Sequence, residues 1–362
     1  MKNSQLDFTG QTLYIGIDVH KKSWQVTILL NGMKVKVFSM NPNPKELNNY
    51  LTNHYPNANY HSVYEAGFSG FWANRQLQAL GIKHIVVNPA DVPTKSKERR
   101  KKTDKIDSSK LARELSVGNL DGVYIPSTKA EALRTLIRLR RQIVNDQTRQ
   151  KNRIKSLLLF LGYSVPEDVE TKHWSQRYIK ALRNLDIEHE ESKATLNELL
   201  NNLNFIRSQL VQILEQIKGF IAKDQQADKT VRLLKTIPGI GPILAVILYS
   251  EIIDIYRFKK LDELANYVGL SPAIYSSADK EINLGLTKQK NKYIRNYLIE
   301  SAWIAIRKDP ALQMAYGLLC KKMSSNKAII RISKNLLNRI RTVWINQQEY
   351  VIATVAWIKN KQ

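Results

Sequence analysis

Four carboxylates stand out in the amino-terminal third. Asp18 breaks "YIGIDVHKKSW", which begins at Tyr14 and whose first half otherwise reads as a buried strand. Glu65 lies in "SVYEAGFSG", at the end of another apolar run. Asp104 and Asp107 lie in "KKTDKIDSSKLAREL", and their spacing of three puts both on one face of a helix. Taken singly, each has a plain structural account. Asp104 and Asp107 favour the positive end of a helix dipole, Glu65 reads as a loop carboxylate, and Asp18 has Lys21 or Lys22 as a partner. A carboxylate inside an apolar run is costly, however, unless it is paired or binds a metal. Carboxylates gathered at one end of a sheet repel each other unless divalent cations lie between them. Oxygen-only ligands suit magnesium, with manganese able to substitute. Two such ions can clamp the attacking and leaving oxygens of a phosphodiester.

The elements that must carry these acids can be read from periodicity. Strand patterns cover 13–19, Trp24 to Leu30 and Met33 to Met40, with Asn31-Gly32 as a hairpin signal between the last two. A helix is predicted over Pro44 to His54, and a fourth strand ends with Ser62 to Glu65. Phe71 to Leu80 reads as a helix stopped by Gly81, Ile82 to Val87 as a fifth strand, and Thr103 as the cap of a helix through Leu115. This order resembles a ribonuclease-H-like or RuvC-like α/β domain, a mixed sheet with flanking helices. Such a domain holds its acids on the first strand, the fourth strand and the last helix.

Further along, Lys129 to Leu161 reads as one long charged helix, broken by Gly162, and a second helical stretch runs from about Trp174 to Ala222. Apolar spacings of three and four predict helix pairs or a coiled-coil spacer. The last third is mainly helical, and "IPGIGP" within it resembles a helix-hairpin-helix turn whose amides can meet a phosphate. A tight turn between packed helices is an equal reading of the same residues. The pattern of a nucleotide-binding P-loop is absent.

Charge narrows the partners. Lys and Arg number 56 against 32 Asp and Glu, so the net charge of +24 favours a polyanion such as DNA or RNA. The basic residues cluster. Lys95, Lys97, Arg99, Arg100, Lys101 and Lys102 directly precede Asp104, and Arg138 and Arg141 belong to a basic stripe on the long helix. The single cysteine, Cys320, excludes an intrachain disulfide and a Cys-clustered zinc site. No apolar run reaches the length of a membrane span and no signal peptide is evident, so an intracellular protein is expected.

A second constellation is "YSSADKEINLGLTKQKNKYIR", where Ser276 and Ser277 stand near Lys280, Lys288, Lys292 and Arg295. A serine needs activation to act as a nucleophile, and paired serines more often form turns.

The motifs together are specific. "YIGIDVHK", "YEAG", "KTDKIDSSKLA", "IPGIGPILA", "YVGLSP", "YSSADK" and "LGLTKQKNKYIR" span nearly the whole chain. In this order they resemble the insertion-sequence transposases of the IS110 family, which include pilin-gene inversion recombinases. The resemblance implies a RuvC-like domain over 1–125 with a DEDD quartet of Asp18, Glu65, Asp104 and Asp107. It implies a helical coiled-coil dimerisation region over 126–230 and a transposase domain over 231–362 with Ser276 as nucleophile and Ser277 as fallback. The family's Gly-Gly after the serines is Ala278-Asp279 here, and a further glycine of its basic segment is Lys290.

The implied activity is RNA-guided DNA transposition through a phosphoserine intermediate, with magnesium at the acidic site. The implied partners are target DNA, donor DNA, a non-coding bridge RNA and further copies of the chain, as a dimer or tetramer. No membrane is involved, and the location is cytoplasmic, with the nucleoid as the place of action. Two alternatives come from other chemistry: a RuvC-like junction nuclease that hydrolyses DNA without a serine, and a basic nucleic-acid-binding protein with a vestigial site.

Overall fold

The computed structural model describes residues 7–93, 104–164, 173–277, 280–286 and 291–352, without the side chains of residue 105 and residues 272–284. The chain divides into two compact units, residues 1–125 and 126–362.

The first unit is built on a five-stranded mixed sheet in the order β3-β2-β1-β4-β5. Strands β1 (Thr12–Val19), β2 (Trp24–Leu30) and β3 (Met33–Met40) form an antiparallel meander. Asn31 and Gly32 both take positive φ, as the tight turn from β2 to β3 requires. Strands β4 (Asn59–Glu65) and β5 (Lys83–Val87) then add in parallel through the crossover helices α1 (Pro44–His54) and α2 (Trp72–Ala79). Helix α3 (Asp104–Ser116) completes the unit. Order and strand directions agree with the RuvC-like sheet expected above.

Each face of the sheet has its own cover. Leu13, Ile15 and Ile17 of β1 are fully buried and pack with Leu47 and Leu51 of α1 and Ala73 and Leu77 of α2. A fully buried side chain of this size contributes about 1.5–3 kcal/mol. Successive strand residues alternate faces, so Gly16 and Asp18 point the other way, toward α3. On that side Val63 and Val87 pack with Leu111 of α3. Gly16 makes this docking possible: a methyl group there would lie 2.0 Å from the Ser108 carbonyl oxygen and 2.5 Å from the Ala112 nitrogen. The helix is pinned further by a 2.9 Å hydrogen bond between the hydroxyls of Thr27 and Ser108, both buried.

Among the described residues the second unit is helical apart from one strand pair. Helix α4 (Thr128–Leu161) lies beside α6 (Glu190–Ala222), with α5 (Gln176–Arg183) packed near their far ends through Tyr178, Ile179 and Leu182. The helical stretch expected from about Trp174 to Ala222 is therefore made of two helices. Asn184 caps α5, and Ile187 turns into the same apolar cluster, so the chain leaves the helical path between them. Helices α7 (Gln225–Lys235), α8 (Pro242–Ile252), α9 (Leu261–Val268), α10 (Arg295–Lys308), α11 (Pro310–Cys320) and α12 (Ser325–Asn346) surround a large core. At the turn between α7 and α8, Gly239 has φ +90°, and a methyl there would lie 2.5 Å from the Ser301 carbonyl oxygen of α10. Strands β6 (Pro272–Ser277) and β7 (Lys280–Leu286) pair antiparallel. Among the described residues no helix is long and apolar enough to cross a membrane.

Candidate active site

The parallel register of β1 and β4 pairs Gly16 with Val63 and Ile17 with Tyr64. The next residues are Asp18 and Glu65, so the two carboxylates end neighbouring strands, and alternation turns both toward α3. The first turn of α3 supplies Asp104 and Asp107. The run that looked like a core strand interrupted by a charge is the central strand, whose last position facing α3 lies at the carboxyl end of the sheet.

Two residues that sequence reasoning passed over complete the geometry. His20 follows β1 and reaches both sides: its Nε2 lies 3.1 Å from Asp18 Oδ2 and 3.5 Å from Asp104 Oδ2. One donor atom from each of Asp18, His20 and Asp104 lies within 4.8 Å of the others. Lys110 lies one turn along α3, with Nζ 3.5 Å from Glu65 Oε1 and 3.7 Å from Asp107 Oδ1. Its side chain is only 8% exposed, so the carboxylates are its compensation for burial. Both had a signal in the sequence. His20 is two residues beyond Asp18, and Lys110 continues the spacing of three from Asp104 and Asp107.

Four carboxylates thus share one edge with one ammonium and one imidazole. Burial lifts Asp18 above the ordinary carboxylate range; His20 opposes this, while the charges of Asp104 and Asp107 add to it. A divalent cation would reverse that balance by favouring the ionised acid. The donor set fits such an ion: hard oxygens dominate, Asp104 and His20 are exposed, and the acids exceed the local cation.

In the second unit the structure describes the ends of the serine segment. Ser276 pairs in register with Glu281 and Ser277 with Lys280, so the serines end a strand rather than sit in a loop. Their side chains and that of Lys280 lie outside the described residues, as do Lys95, Lys97, Arg99, Arg100, Lys101, Lys102 and Lys288. The chain is anchored just beyond, at Asn291. The Asn291 amide donates to Glu251 Oε2 at 3.0 Å, and its Oδ1 accepts from the Tyr293 and Ile294 amides at the start of α10. Glu251 is fully buried in α8. Arg138 meets it with two hydrogen bonds of 2.9 and 3.0 Å and lies over the Tyr293 ring. Arg134 donates to the Ser250 and Glu251 carbonyls. Arg138, offered by the sequence as a phosphate contact, therefore has an internal partner, whereas Arg141 stacks over Tyr297. Lys292 lies over the Tyr293 ring, and burial lowers Arg295 below the ordinary arginine range.

Comparison with known proteins finds transposases. A DEDD transposase model of the IS110 group matches residues 15–162, and a model described as "Transposase IS116/IS110/IS902 family" matches residues 231–317. A putative transposase, y4rJ, of Sinorhizobium fredii is 30% identical over 300 residues, covering 76% of this chain and 74% of the relative. The transposase for insertion sequence element IS1533 of Leptospira borgpetersenii is 27% identical, over 80% of this chain and 84% of its own. A pilin gene-inverting protein of Moraxella bovis is 26% identical, over 88% of this chain and 90% of its own.

Fold, acidic edge and relatives define a DNA transposase or recombinase with a DEDD-type domain. The chain belongs to the IS116/IS110/IS902 family of transposases.

Proposed function

We propose that this transposase is RNA-guided and cleaves and rejoins DNA through a covalent phosphoserine link. The observation that carries the reading is the meeting of Asp18, Glu65, Asp104 and Asp107 at the carboxyl end of two neighbouring strands, in a chain whose resemblance supplies Ser276 as nucleophile. Ser277 is the fallback. In this reading the serine Oγ bonds to phosphorus as the bond from phosphorus to the adjacent sugar oxygen breaks. The departing oxygen takes a proton, and a base accepts the serine proton. Attack by a sugar hydroxyl of the new strand reverses these changes, restores the phosphodiester and frees the serine, with no need for ATP.

Asp18, Glu65, Asp104 and Asp107 hold the divalent ion, magnesium or in its place manganese. When bound, the ion supplies charge stabilisation at the scissile phosphate. The basic run from Lys95 to Lys102, with Arg141, Lys280, Lys288, Lys292 and Arg295, holds nucleic-acid backbone. The chain works in three parts, 1–125, 126–230 and 231–362, with α4 and α6 as a coiled-coil dimer arm and the Gly239 turn as a helix-hairpin-helix phosphate contact. It acts as a dimer or tetramer in the cytoplasm, at the nucleoid, on target and donor DNA aligned by a bridge RNA.

A purely hydrolytic RuvC-like nuclease is the second reading, because the acidic edge is complete within residues 1–125. Purified protein, element RNA, magnesium and end-labelled DNA distinguish the two. An SDS-resistant protein–DNA adduct that is lost in Ser276→Ala supports the serine mechanism. An adduct that persists moves the role to Ser277 or another hydroxyl, and free cleaved ends with no adduct at any time support hydrolysis. Asp18→Ala, Glu65→Ala and Asp107→Ala each abolish cleavage while leaving DNA binding largely intact.

A further inference from the structure

We infer that His20 is itself a metal ligand. Its Nε2 joins Asp18 and Asp104 in a position of two carboxylates and one imidazole that favours manganese over magnesium. This rests on the metal reading above and adds a donor that the acidic quartet does not contain.

Geometry supports it first. Neighbouring ligand atoms around a six-coordinate ion with bonds of about 2.1 Å stand about 3 Å apart. His20 Nε2 shares a 3.1 Å hydrogen bond with Asp18 Oδ2 and stands 3.5 Å from Asp104 Oδ2, so the three atoms already lie close to that spacing and an ion would take the place of the shared proton. The imidazole is carried by the short turn from β1 to β2, where the His20 amide donates to the Ser23 carbonyl at 3.1 Å. That turn fixes the residue beside the strand end that carries Asp18. His20 is 47% exposed and Asp104 64%, so the outer side of the position stays open to water and a phosphate oxygen.

The opposite side of the site differs in kind. Glu65 and Asp107 already share the Lys110 ammonium, so an entering ion must compete there with a cation the protein supplies. The Asp18 and Asp104 side instead offers an imidazole nitrogen. Magnesium prefers oxygen ligands and gives up water reluctantly. Imidazole raises the affinity for first-row transition ions over it. The acids alone describe a magnesium site, and His20 tilts it toward manganese.

The test uses the full-length, tag-free protein without DNA. Manganese is added and its electron spin echo modulation recorded, with manganese and magnesium affinities measured by calorimetry. The wild type is expected to show nitrogen-14 modulation from a directly bound imidazole. His20→Gln is expected to lose that modulation while still binding manganese through its carboxylates, with manganese affinity lowered at least about tenfold, the lower end of what losing even an outer partner of a metal ligand costs. Magnesium affinity is expected to change less. Bound manganese with no nitrogen modulation in the wild type overturns the assignment of His20 alone. So does an unchanged manganese-to-magnesium ratio in His20→Gln. No manganese binding at all overturns both this inference and the metal reading beneath it. Thermal unfolding of His20→Gln matching the wild type excludes misfolding as the cause, and His20→Asn provides a second variant with a shorter side chain.

Discussion

Gly16 of β1 and Ser108 of α3 approach so closely that a single methyl group at residue 16 would lie 2.0 Å from the Ser108 carbonyl oxygen. That contact sets the height of α3 above the sheet, and so the height of Asp104 and Asp107 above Asp18. Gly16→Ala is expected to cost about 1–3 kcal/mol by overpacking and to reduce DNA cleavage beyond what the fraction unfolded explains. Urea denaturation and cleavage on the same preparation check this. Wild-type cleavage with an unchanged midpoint would show that the helix does not need this approach.

Lys110 holds Glu65 and Asp107 together from a nearly buried position. Lys110→Met keeps most of the volume and removes the ammonium. Destabilisation of about 1–3 kcal/mol is expected without divalent ions, because two partly buried carboxylates lose their partner. Added manganese should raise the melting temperature of the variant more than that of the wild type. Equal shifts would mean that the ammonium and the ion do not share those carboxylates.

His84 provides a pH dependence. Its ring is buried in β5 beside Ser62, 2.6 Å from the hydroxyl, and burial pulls its pKa from the ordinary 6.5 down to about 3. Below 6.5 the unfolded chain takes up a proton that the folded chain refuses, so stability is lost as pH falls from about 6.5 toward 3. Between pH 7 and 5 the loss from this group is about 2 kcal/mol. Denaturant midpoints at the two values, compared with those of His84→Asn, isolate it: the variant should lose correspondingly less. Equal losses would assign the acid sensitivity elsewhere.

The buried Glu251 ties α4, α8 and the start of α10 through Arg138 and Asn291. Glu251→Gln leaves Arg138 and Arg134 without their charge partner and is expected to cost about 3 kcal/mol, near the low end for a broken buried pair because Arg138 is partly exposed. The double variant Arg138→Gln, Glu251→Gln should recover part of that loss. Strict additivity of the two single changes would deny the coupling.

The sheet was legible because its signals are local. Apolar runs mark β1 and β2, alternation marks β3, and Asn31-Gly32 marks the turn between β2 and β3. Asp18 could be found because a charge inside an apolar run is conspicuous, whereas Glu65, Asp104 and Asp107 stood out only through the resemblance of the whole order of elements. Where the signal depended on tertiary packing it was missed. His20 and Lys110 look like ordinary surface side chains until the ends of β1, β4 and α3 meet. Arg138 is one of many arginines on a charged helix, and only the arrival of α8 gives it Glu251. The break between α5 and α6 depends on Ile187 entering a cluster formed by both helices. Strand β6 was hidden because Ala273, Ile274 and Tyr275 are consecutive and give no alternation to read.

The docking of α3 also imposes an order in time. Synthesis proceeds from the amino terminus, so Asp18 and Glu65 leave the ribosome before the segment that contains Asp104, Asp107 and Lys110. Strands β1 to β5 precede that helix in the chain, and Gly16 leaves an open seat on their face until it arrives. A growing chain therefore carries only half of its acidic edge while the sheet is being laid down. The transposase acquires its full acidic site only when this helix settles onto the strands.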